Sequence, residues 1–192
     1  MLITHHGIIW NGIRYIQGAV KQHISFLLKN DLNLYASHLP LDLHPEYGNN
    51  AGLAKIVGAD NLKPFGVYKG IKIGYQGSFK TAKTVDSVVQ TMCKLLDTEC
   101  TVLPFGPKKI KTVALVSGGG GGELDQVIQS GIDCYITGEP VHHNYHAALE
   151  GKAHVIYAGH YHTEKPGVQS LLKLCRKKFN VETIFIDIPT AI

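Results

Sequence analysis

The chain has 192 residues, a formal net charge of +4, and 44% of its residues are hydrophobic. These values are typical of a globular protein with one sizeable core or two small lobes, and they argue against disorder. No apolar run approaches the ~20 residues of a membrane span, and no signal peptide is expected at the start. The basic patches at 108–111 and 176–178 lack interleaved aromatic residues, so nucleic-acid binding is not expected. The four cysteines have no Cys-x-x-Cys spacing, which favours reduced, buried thiols in a cytoplasmic protein.

The first part of the chain predicts a β-α-β unit followed by short elements. Apolar periodicity and turn signals place, in order, a strand at 1–3, a helix at 12–28, a strand at 32–36, a turn at 39–42 and a helix at 51–56. The two strands of such a unit pair in parallel, because a helical crossover brings the chain back in the same direction. Asn49 and Asn50 are expected to cap the start of the short helix.

The rest of the chain alternates strands and helices. In order, the pattern predicts half-exposed strands at 67–68 and 71–75, a helix from Thr84, strands at 101–103 and 111–116, a helix at 124–130, a strand at 134–137, a helix opened by His142-His143, a strand at 153–158, a helix at 168–179 and an exit strand at 183–186. This alternation predicts an α/β protein. We expect two lobes, formed by residues 1–63 plus 152–192 and by an inserted segment at 64–151.

Histidines and carboxylates follow three of the predicted strands. The candidates, in chain order, are His5, His6, His38, Asp42, His160 and Glu164. Strand ends face a common crevice in open α/β sheets, and mixed imidazole and carboxylate ligands suit Zn²⁺, Mn²⁺, Fe²⁺ or Ni²⁺. Because a single tetrahedral zinc needs only four ligands, the set predicts two metals ~3.5–4 Å apart, with Glu164 as the bridge. The alternative is that these residues are caps and turns bonded to the backbone.

The glycine run at 118–122 follows a strongly apolar strand. It is not a P-loop, because no Gly-Lys-Ser/Thr follows, and Glu123 occupies the place of the third glycine of a dinucleotide-binding fingerprint. Two interpretations remain open. The turn could bind an anion through its exposed backbone N–H groups, or it could serve tight packing alone, which we favour.

A second polar cluster follows the strand at 134–137. Its members are Asp133, Thr137, Glu139, His142, His143 and His146. We expect it to line the same cleft from the other lobe, although a separate metal site and a polar helix start without chemistry stay open. Trp10 and Tyr161 are expected to be packing residues.

Several of these motifs, taken in order, resemble one known family. They are Thr4-His5-His6-Gly7, Ser37-His38 with Leu41-Asp42, Ser117-Gly118-Gly119, Asp133 with Thr137-Gly138-Glu139 and His142-His143, and Gly159-His160-Tyr161-His162-Thr163-Glu164. The chain is thereby similar to the GTP cyclohydrolase I type 2 homologues, also called NIF-three-like proteins. Members carry a helix and a strand before the His-His pair, and we expect both to be absent here, which leaves residues 1–3 as a stub strand.

The resemblance implies a three-layer, two-lobed, mixed-sheet α/β protomer and a hexameric toroid whose metal sites face the interior. It also implies a dinuclear metal centre held by five ligands. Those ligands are His5, His6, Asp42, His160 and Glu164, with Glu164 as the bridge.

Together, the residues and the resemblance favour a metal-dependent hydrolase that acts on a nucleotide or a related phosphorylated heterocycle. His38, beside the expected site, is a candidate to orient a ligand or carry a proton. The alternative is a metal-binding regulatory or metal-handling protein without turnover, which a closed coordination sphere would favour. A metallophosphoesterase, suggested by Gly159-His160-Tyr161-His162, is disfavoured because that family's Gly-Asp and Asn-His pairs are missing.

Overall fold

The computed structural model describes residues 1–10 and 12–190. Its strands are β1 (Leu2–Thr4), β2 (Leu34–Ala36), β3 (Asp60–Tyr68), β4 (Ile71–Lys83), β5 (Thr101–Pro104), β6 (Ile110–Val116), β7 (Cys134–Thr137) and β8 (His154–Tyr157). Its helices are α1 (Gly18–Lys29), α2 (Leu39–Leu43), α3 (Asn49–Val57), α4 (Val85–Leu96), α5 (Leu124–Gln129), α6 (Asn144–Gly151) and α7 (His160–Phe179). None of these helices is long and apolar enough to cross a membrane.

Six strands form one mixed sheet in the order β3-β4-β6-β7-β8-β5. Its centre, β6-β7-β8, is parallel, and the other neighbours pair antiparallel. Strands β1 and β2 form a separate parallel pair, joined through α1 as the β-α-β pattern predicts. The two-lobe division stays a prediction, and β8, which it assigns to the first lobe, is hydrogen-bonded between β7 and β5.

The central strands are buried on both faces because alternate residues enter two different apolar cores. On one face, Val113, Leu115 and Ile136 pack with residues of α3 and α4. On the other face, Ala114 and Tyr135 pack with residues of α5 and α6. Helices therefore cover both sides of the sheet, and the predicted three-layer α/β fold is confirmed.

The carboxyl ends of the three parallel strands lie side by side. Thr137 pairs with Val116 on one side and with Tyr157 on the other, so the turns that follow are neighbours. Backbone hydrogen bonds join these turns, from Gly138 N–H to the Gly118 carbonyl (2.9 Å) and from Gly159 N–H to the Gly138 carbonyl (3.0 Å). This edge of the sheet is where open α/β folds place their ligands.

Two predicted elements near the start of the chain differ from the structure. Helix α1 begins at Gly18 rather than at residue 12, because the positive φ values at Gly12 and Gly18 prevent a continuous right-handed helix between them. The predicted turn at 39–42 is helix α2, which tolerates Pro40 because the first turn of a helix needs no backbone donor there.

The last helix and the end of the chain also differ from prediction. Helix α7 begins at His160, not at residue 168, and runs through Pro166. The pyrrolidine ring fits against α3 where Gly52 has no side chain, since a Cβ there would lie 2.6 Å from the Pro166 Cβ. The predicted exit strand at 183–186 does not form, and Ile184 and Ile186 are exposed.

Candidate metal centre

The structure brings the five predicted ligands together. His5 Nε2 lies 3.4 Å from Asp42 Oδ2 and 3.4 Å from Glu164 Oε1. His6 Nε2 lies 3.3 Å from Glu164 Oε2, and His160 Nε2 lies 3.1 Å from Glu164 Oε1. Both oxygens of Glu164 therefore face imidazole nitrogens. We call these five residues the His/carboxylate cluster, and their role as metal ligands stays a prediction.

Glu164 belongs to two groups of metal-ligating side chains. In one it joins His5 and Asp42, and in the other it joins His6 and His160, with the ligand atoms of each group within 4.8 Å of one another. His160 and Glu164 share one face of α7, because residues four apart on a helix are neighbours. The arrangement can hold one cation in each group, with Glu164 common to both.

Gly118 and Thr163 fix the position of this part of α7. The Thr163 hydroxyl accepts a hydrogen bond from Gly118 N–H (3.0 Å) and donates to the Gly159 carbonyl (2.9 Å), so it ties the glycine turn to the helix start. Gly118 has a φ of +63°, and a Cβ at this position would overlap Oε1 of Glu164. Only glycine meets both requirements here.

Two imidazoles in the cluster have an Nε2 atom that makes no hydrogen bond and that offers a lone pair to a metal once it loses its proton. His5 Nδ1 donates to the Ser37 carbonyl (3.0 Å), and His160 Nδ1 donates to Glu139 Oε1 (2.5 Å). The opposite nitrogens, His5 Nε2 and His160 Nε2, are buried without a hydrogen-bond partner among the described residues. Buried polar atoms are almost always paired, and an imidazole held through Nδ1 is the usual metal-ligating form. The donor set therefore fits divalent transition metals.

Asp42 is held in place by residues at the start of α3 and by the glycine turn. Its Oδ1 accepts hydrogen bonds from Asn49 Nδ2 (2.8 Å) and from the Ser117 hydroxyl (2.7 Å), which leaves Oδ2 directed at His5. Asn50 completes the network by accepting from Ser117 N–H (2.8 Å). Both asparagines were expected to cap the helix, but the N-cap is Gly48. Asn49 and Asn50 are instead the first two residues of α3, and their side chains are buried.

The charges of the cluster depend on one another. Burial alone would lower the pKa of His5, but the adjacent carboxylates of Asp42 and Glu164 raise it to about 10. The adjacent Glu164 carboxylate raises the pKa of His160 to about 9 against the effect of burial. Burial disfavours ionisation of Glu164, yet His160 and His5 lower its pKa to about 2. Burial lowers the pKa of His6. The metal-free cluster thus retains protons where a cation would bind.

His38 lies beside the cluster, as predicted. Its ring centroid is 5.0 Å from that of His5 and 5.1 Å from that of His6, and burial lowers its pKa. A ring nitrogen of His38 is close enough to those of His5 and His6 to form a third group of ligand atoms within 4.8 Å. The neutral form that this environment favours can accept a proton.

The second polar cluster divides into parts with different roles. Glu139 joins the His/carboxylate cluster through His160, whereas Asp133 lies at the start of β7 and accepts from Lys111 and Thr112 N–H (2.7 and 2.9 Å). His142, His143 and His146 are exposed, and no metal-ligating group among the described residues includes them. Of the six residues, Glu139 contacts the His/carboxylate cluster directly, and the buried Thr137 donates to the Gly118 carbonyl (3.3 Å) beside it.

A cavity of about 350 Å³ opens beside the cluster. Its lining includes His6, His160 and Glu164, together with Trp10, Tyr68 and Glu123. Trp10 is 53% exposed and contacts His6 and His38 edge-on, so it forms a wall of the cavity rather than a buried packing residue. The position of these aromatic residues in the cavity wall was not predicted, because the sequence around a tryptophan or tyrosine does not show whether its ring is buried or exposed.

Comparison with known proteins identifies the family of the chain. The family described as Duf34/NIF3 (NGG1p interacting factor 3) matches residues 1–191. A protein of Archaeoglobus fulgidus named GTP cyclohydrolase 1 type 2 homolog is 47% identical over 190 residues, which cover 99% of this chain and 76% of that protein. A Pyrococcus abyssi protein of the same name is 46% identical over 193 residues, covering 100% of this chain and 77% of its own length. The crystal structure of TTHA1606 from Thermus thermophilus is similar with a TM-score of 0.89 and 37% identity, covering 99% of this chain and 75% of that one.

Proposed function

The chain belongs to the Duf34/NIF3 family, and from this membership and the cluster geometry we propose that it is a dinuclear metal-dependent hydrolase. Its substrate would be a nucleotide or a related phosphorylated heterocycle. One observation carries the proposal, namely that each carboxylate oxygen of Glu164 faces an imidazole Nε2. A carboxylate shared in this way is the usual bridge of a two-metal site.

The residues divide naturally between two ions. His5, Asp42 and Glu164 would hold one, and His6, His160 and Glu164 the other. Imidazole and carboxylate donors together favour Zn²⁺, Mn²⁺, Fe²⁺ or Ni²⁺ over Ca²⁺ or Mg²⁺. When bound, such a pair lowers the pKa of a coordinated water towards neutrality and polarises the group under attack.

The surrounding residues supply orientation and proton transfer. Glu139 holds the His160 ring through Nδ1, and Asn49 with Ser117 holds the Asp42 carboxylate, so the ligating atoms are fixed before anything binds. His38 would accept or relay a proton within the cleft. The backbone of the glycine turn lines the same cavity and lets phosphate oxygens approach closely.

Access from the cavity favours turnover over a purely structural or regulatory metal site. The cluster is not enclosed, because His6 and His160 contribute to the wall of a cavity of about 350 Å³. That volume suits a small-molecule ligand. A protein that only stores or senses metal would more commonly close its coordination sphere with protein atoms.

The test is a turnover screen of the metal-loaded protein with nucleotides, phosphoesters and cyclic amides. Glu164→Ala should abolish any activity that the wild type shows, whereas Glu150→Ala, which removes an exposed glutamate of α6, should retain it. A wild type that carries two metals and turns over no compound in the screen overturns the hydrolase and leaves the non-catalytic alternative.

We further propose that the protein is a cytoplasmic homo-oligomer, with the hexameric ring implied by the resemblance. Helix α1 has no buried residue, and Phe26 and Leu28 are both exposed, which is typical of a helix that packs against another subunit. The four cysteines are free thiols, as in most cytoplasmic proteins. Light scattering should give six chains per particle, and a monomer at micromolar concentration would contradict the assembly.

A further inference from the structure

Cys93 and Cys100 form a pair of thiols outside the His/carboxylate cluster. Their sulfur atoms lie 3.2 Å apart, and the Cys93 thiol donates to Cys100 Sγ. Both are free and half-buried, and neither belongs to a group of three or more metal-ligating side chains in the part of the chain that the structure describes. A disulfide needs about 2.05 Å between its sulfurs, so the two thiols must approach by only about 1 Å to form one.

The short loop between α4 and β5 brings the two sulfurs together. Helix α4 ends at Asp97, which takes the left-handed conformation, and Thr98 N–H donates back to the Cys93 carbonyl (3.2 Å). Cys100 directly precedes β5 and packs against the apolar core that contains Met92. Because a helix and a strand hold the two ends of the loop, the thiols meet in the folded protein without rearrangement of either element.

A bond between these sulfurs would fasten the edge of the sheet. Strand β5 pairs with β8, where Thr101 lies opposite Tyr157, and no second strand among the described residues pairs with it. The loop also reaches the start of α7, since a Cβ at Gly159 would lie 3.5 Å from Thr98 Oγ1. A link from α4 to the start of β5 therefore restrains both the edge strand and a loop that contacts the helix carrying His160.

The two thiols have different roles in such a reaction. Burial and the neighbouring Cys93 raise the pKa of Cys100 to about 12, so Cys100 is protonated at neutral pH. The nucleophile in thiol–disulfide exchange is a thiolate rather than a thiol. Cys93 is therefore the residue that attacks an incoming oxidant, and Cys100 is the residue that resolves the intermediate.

We propose that Cys93 and Cys100 are a redox-sensitive pair that closes to an intramolecular disulfide with a small disulfide oxidant, such as glutathione disulfide, and reopens with reduced glutathione. The Cys93 thiolate attacks one sulfur of glutathione disulfide, which breaks its S–S bond and releases one glutathione. Cys100 then loses its proton and attacks the Cys93 sulfur, which releases the second glutathione. Two protein thiols are oxidised, one glutathione disulfide is reduced, and the two thiol protons end on the two glutathione molecules. The proposed hydrolase plays no part in this step.

Peptide mapping of the full chain tests the pairing. The folded protein is treated with glutathione disulfide, denatured in excess iodoacetamide and digested with trypsin. Lys94 separates the two cysteines, so peptides 84–94 and 95–108 should each be alkylated in the reduced protein and joined to each other in the oxidised one. Excess reduced glutathione should restore the two alkylated peptides. The Tm of the oxidised protein should rise by about 5 °C or more, as expected for closure of a short loop in a chain of this size.

Single substitutions test the order of attack. Cys100→Ser should stop at the first step and carry one glutathione on peptide 84–94. In Cys93→Ser, peptide 95–108 should remain free of glutathione. Cys175→Ser, which removes a half-buried cysteine of α7, is the matched control and should still form the cross-link.

Several results would overturn the inference. Peptides 84–94 and 95–108 that stay separately alkylated after oxidation of the wild type contradict the pairing, and so does a cross-link of either peptide to Cys134 or Cys175. A cross-link that excess reduced glutathione leaves intact contradicts a reversible pair. An unchanged Tm in the cross-linked protein contradicts the fastening of the sheet edge.

Discussion

Replacing Asn49 with alanine should weaken both the fold and the proposed metal centre. The side chain is 0% exposed and makes two hydrogen bonds that alanine cannot make. Its Nδ2 donates to Asp42 Oδ1 (2.8 Å), and its Oδ1 accepts from Gly167 N–H in α7 (2.7 Å). The residue thus links the carboxylate of one predicted ligand to the helix that carries two others.

The magnitude follows from what the substitution leaves behind. A buried backbone N–H at Gly167 without an acceptor costs about 1–3 kcal/mol, and loss of a hydrogen bond to the charged Asp42 costs about 1.5–3 kcal/mol. The Ser117 hydroxyl still donates to the same Asp42 oxygen, which limits the damage. We expect the free energy of unfolding to fall by about 3–5 kcal/mol in total. Because Asp42 is less well oriented, metal affinity should fall about 10–100-fold.

Urea unfolding of the metal-free protein measures the first effect, and competition with a chelator measures the second. Asn33→Ala is the matched control, since Asn33 is exposed and makes no side-chain hydrogen bond among the described residues. It should change stability by less than about 0.5 kcal/mol. If Asn49→Ala behaves like Asn33→Ala in both assays, the proposed support of Asp42 is refuted.

Three further predictions concern the cluster itself. Gly118→Ala should abolish metal binding, because the added Cβ overlaps Glu164 Oε1, and elemental analysis that finds normal metal content in this variant would contradict the geometry. Glu139→Ala should lower metal affinity about 10–100-fold, because His160 loses the acceptor that orients it, and Glu139→Gln should restore most of it in chelator competition. Metal loading at pH 7.5 should release about two protons per chain, since the pKa of His5 is about 10 and that of His160 about 9, and metal affinity should rise with pH up to that range. Calorimetry in buffers of different ionisation enthalpy measures this release, and a value of zero would show that the cluster carries no exchangeable protons.

The convergence of the five candidate ligands could be predicted from the sequence. Each follows an apolar segment, and the carboxyl ends of such segments meet at one edge of an α/β sheet. Glu164 was also predicted to bridge the two metals, because a carboxylate can offer one oxygen to each ion. What the pattern could not give was the helical position of His160. Pro166-Gly167 is a strong breaking signal, but contacts between α3 and α7 accommodate it.

The residues that support the cluster were harder to predict. Asn49 and Asn50 stand before an apolar helix, where asparagine most often caps, and nothing local reveals a partner 118 positions away at Gly167. Glu123 was noted only because it interrupts a glycine fingerprint. Its position in the cavity follows from the packing of β3 and β4 against the glycine turn, which are tertiary contacts without a sequence pattern.

In the C-terminal segment, the sequence predicted an element that the structure does not contain. Alternating apolar residues at 184 and 186 predicted a strand, but residues 183–186 pair with none of the strands in the described part of the chain. Instead, Arg176 donates to the Thr183 carbonyl (2.9 Å), and just beyond the segment Tyr161 donates to Asp187 (2.5 Å) and accepts from Ile188 N–H (3.0 Å). Alternation indicates a strand only where a neighbouring strand can supply the hydrogen bonds.

Metal content per chain tests the central claim most directly. Purified wild type, Glu164→Ala and the exposed control Glu150→Ala should be reconstituted with Mn²⁺ or Zn²⁺, desalted and measured by elemental analysis. We expect about two equivalents in the wild type and the control, and a large loss in Glu164→Ala, because both candidate groups of ligands share that carboxylate. No metal in the wild type, or two equivalents retained in Glu164→Ala, would contradict a dinuclear centre bridged by Glu164.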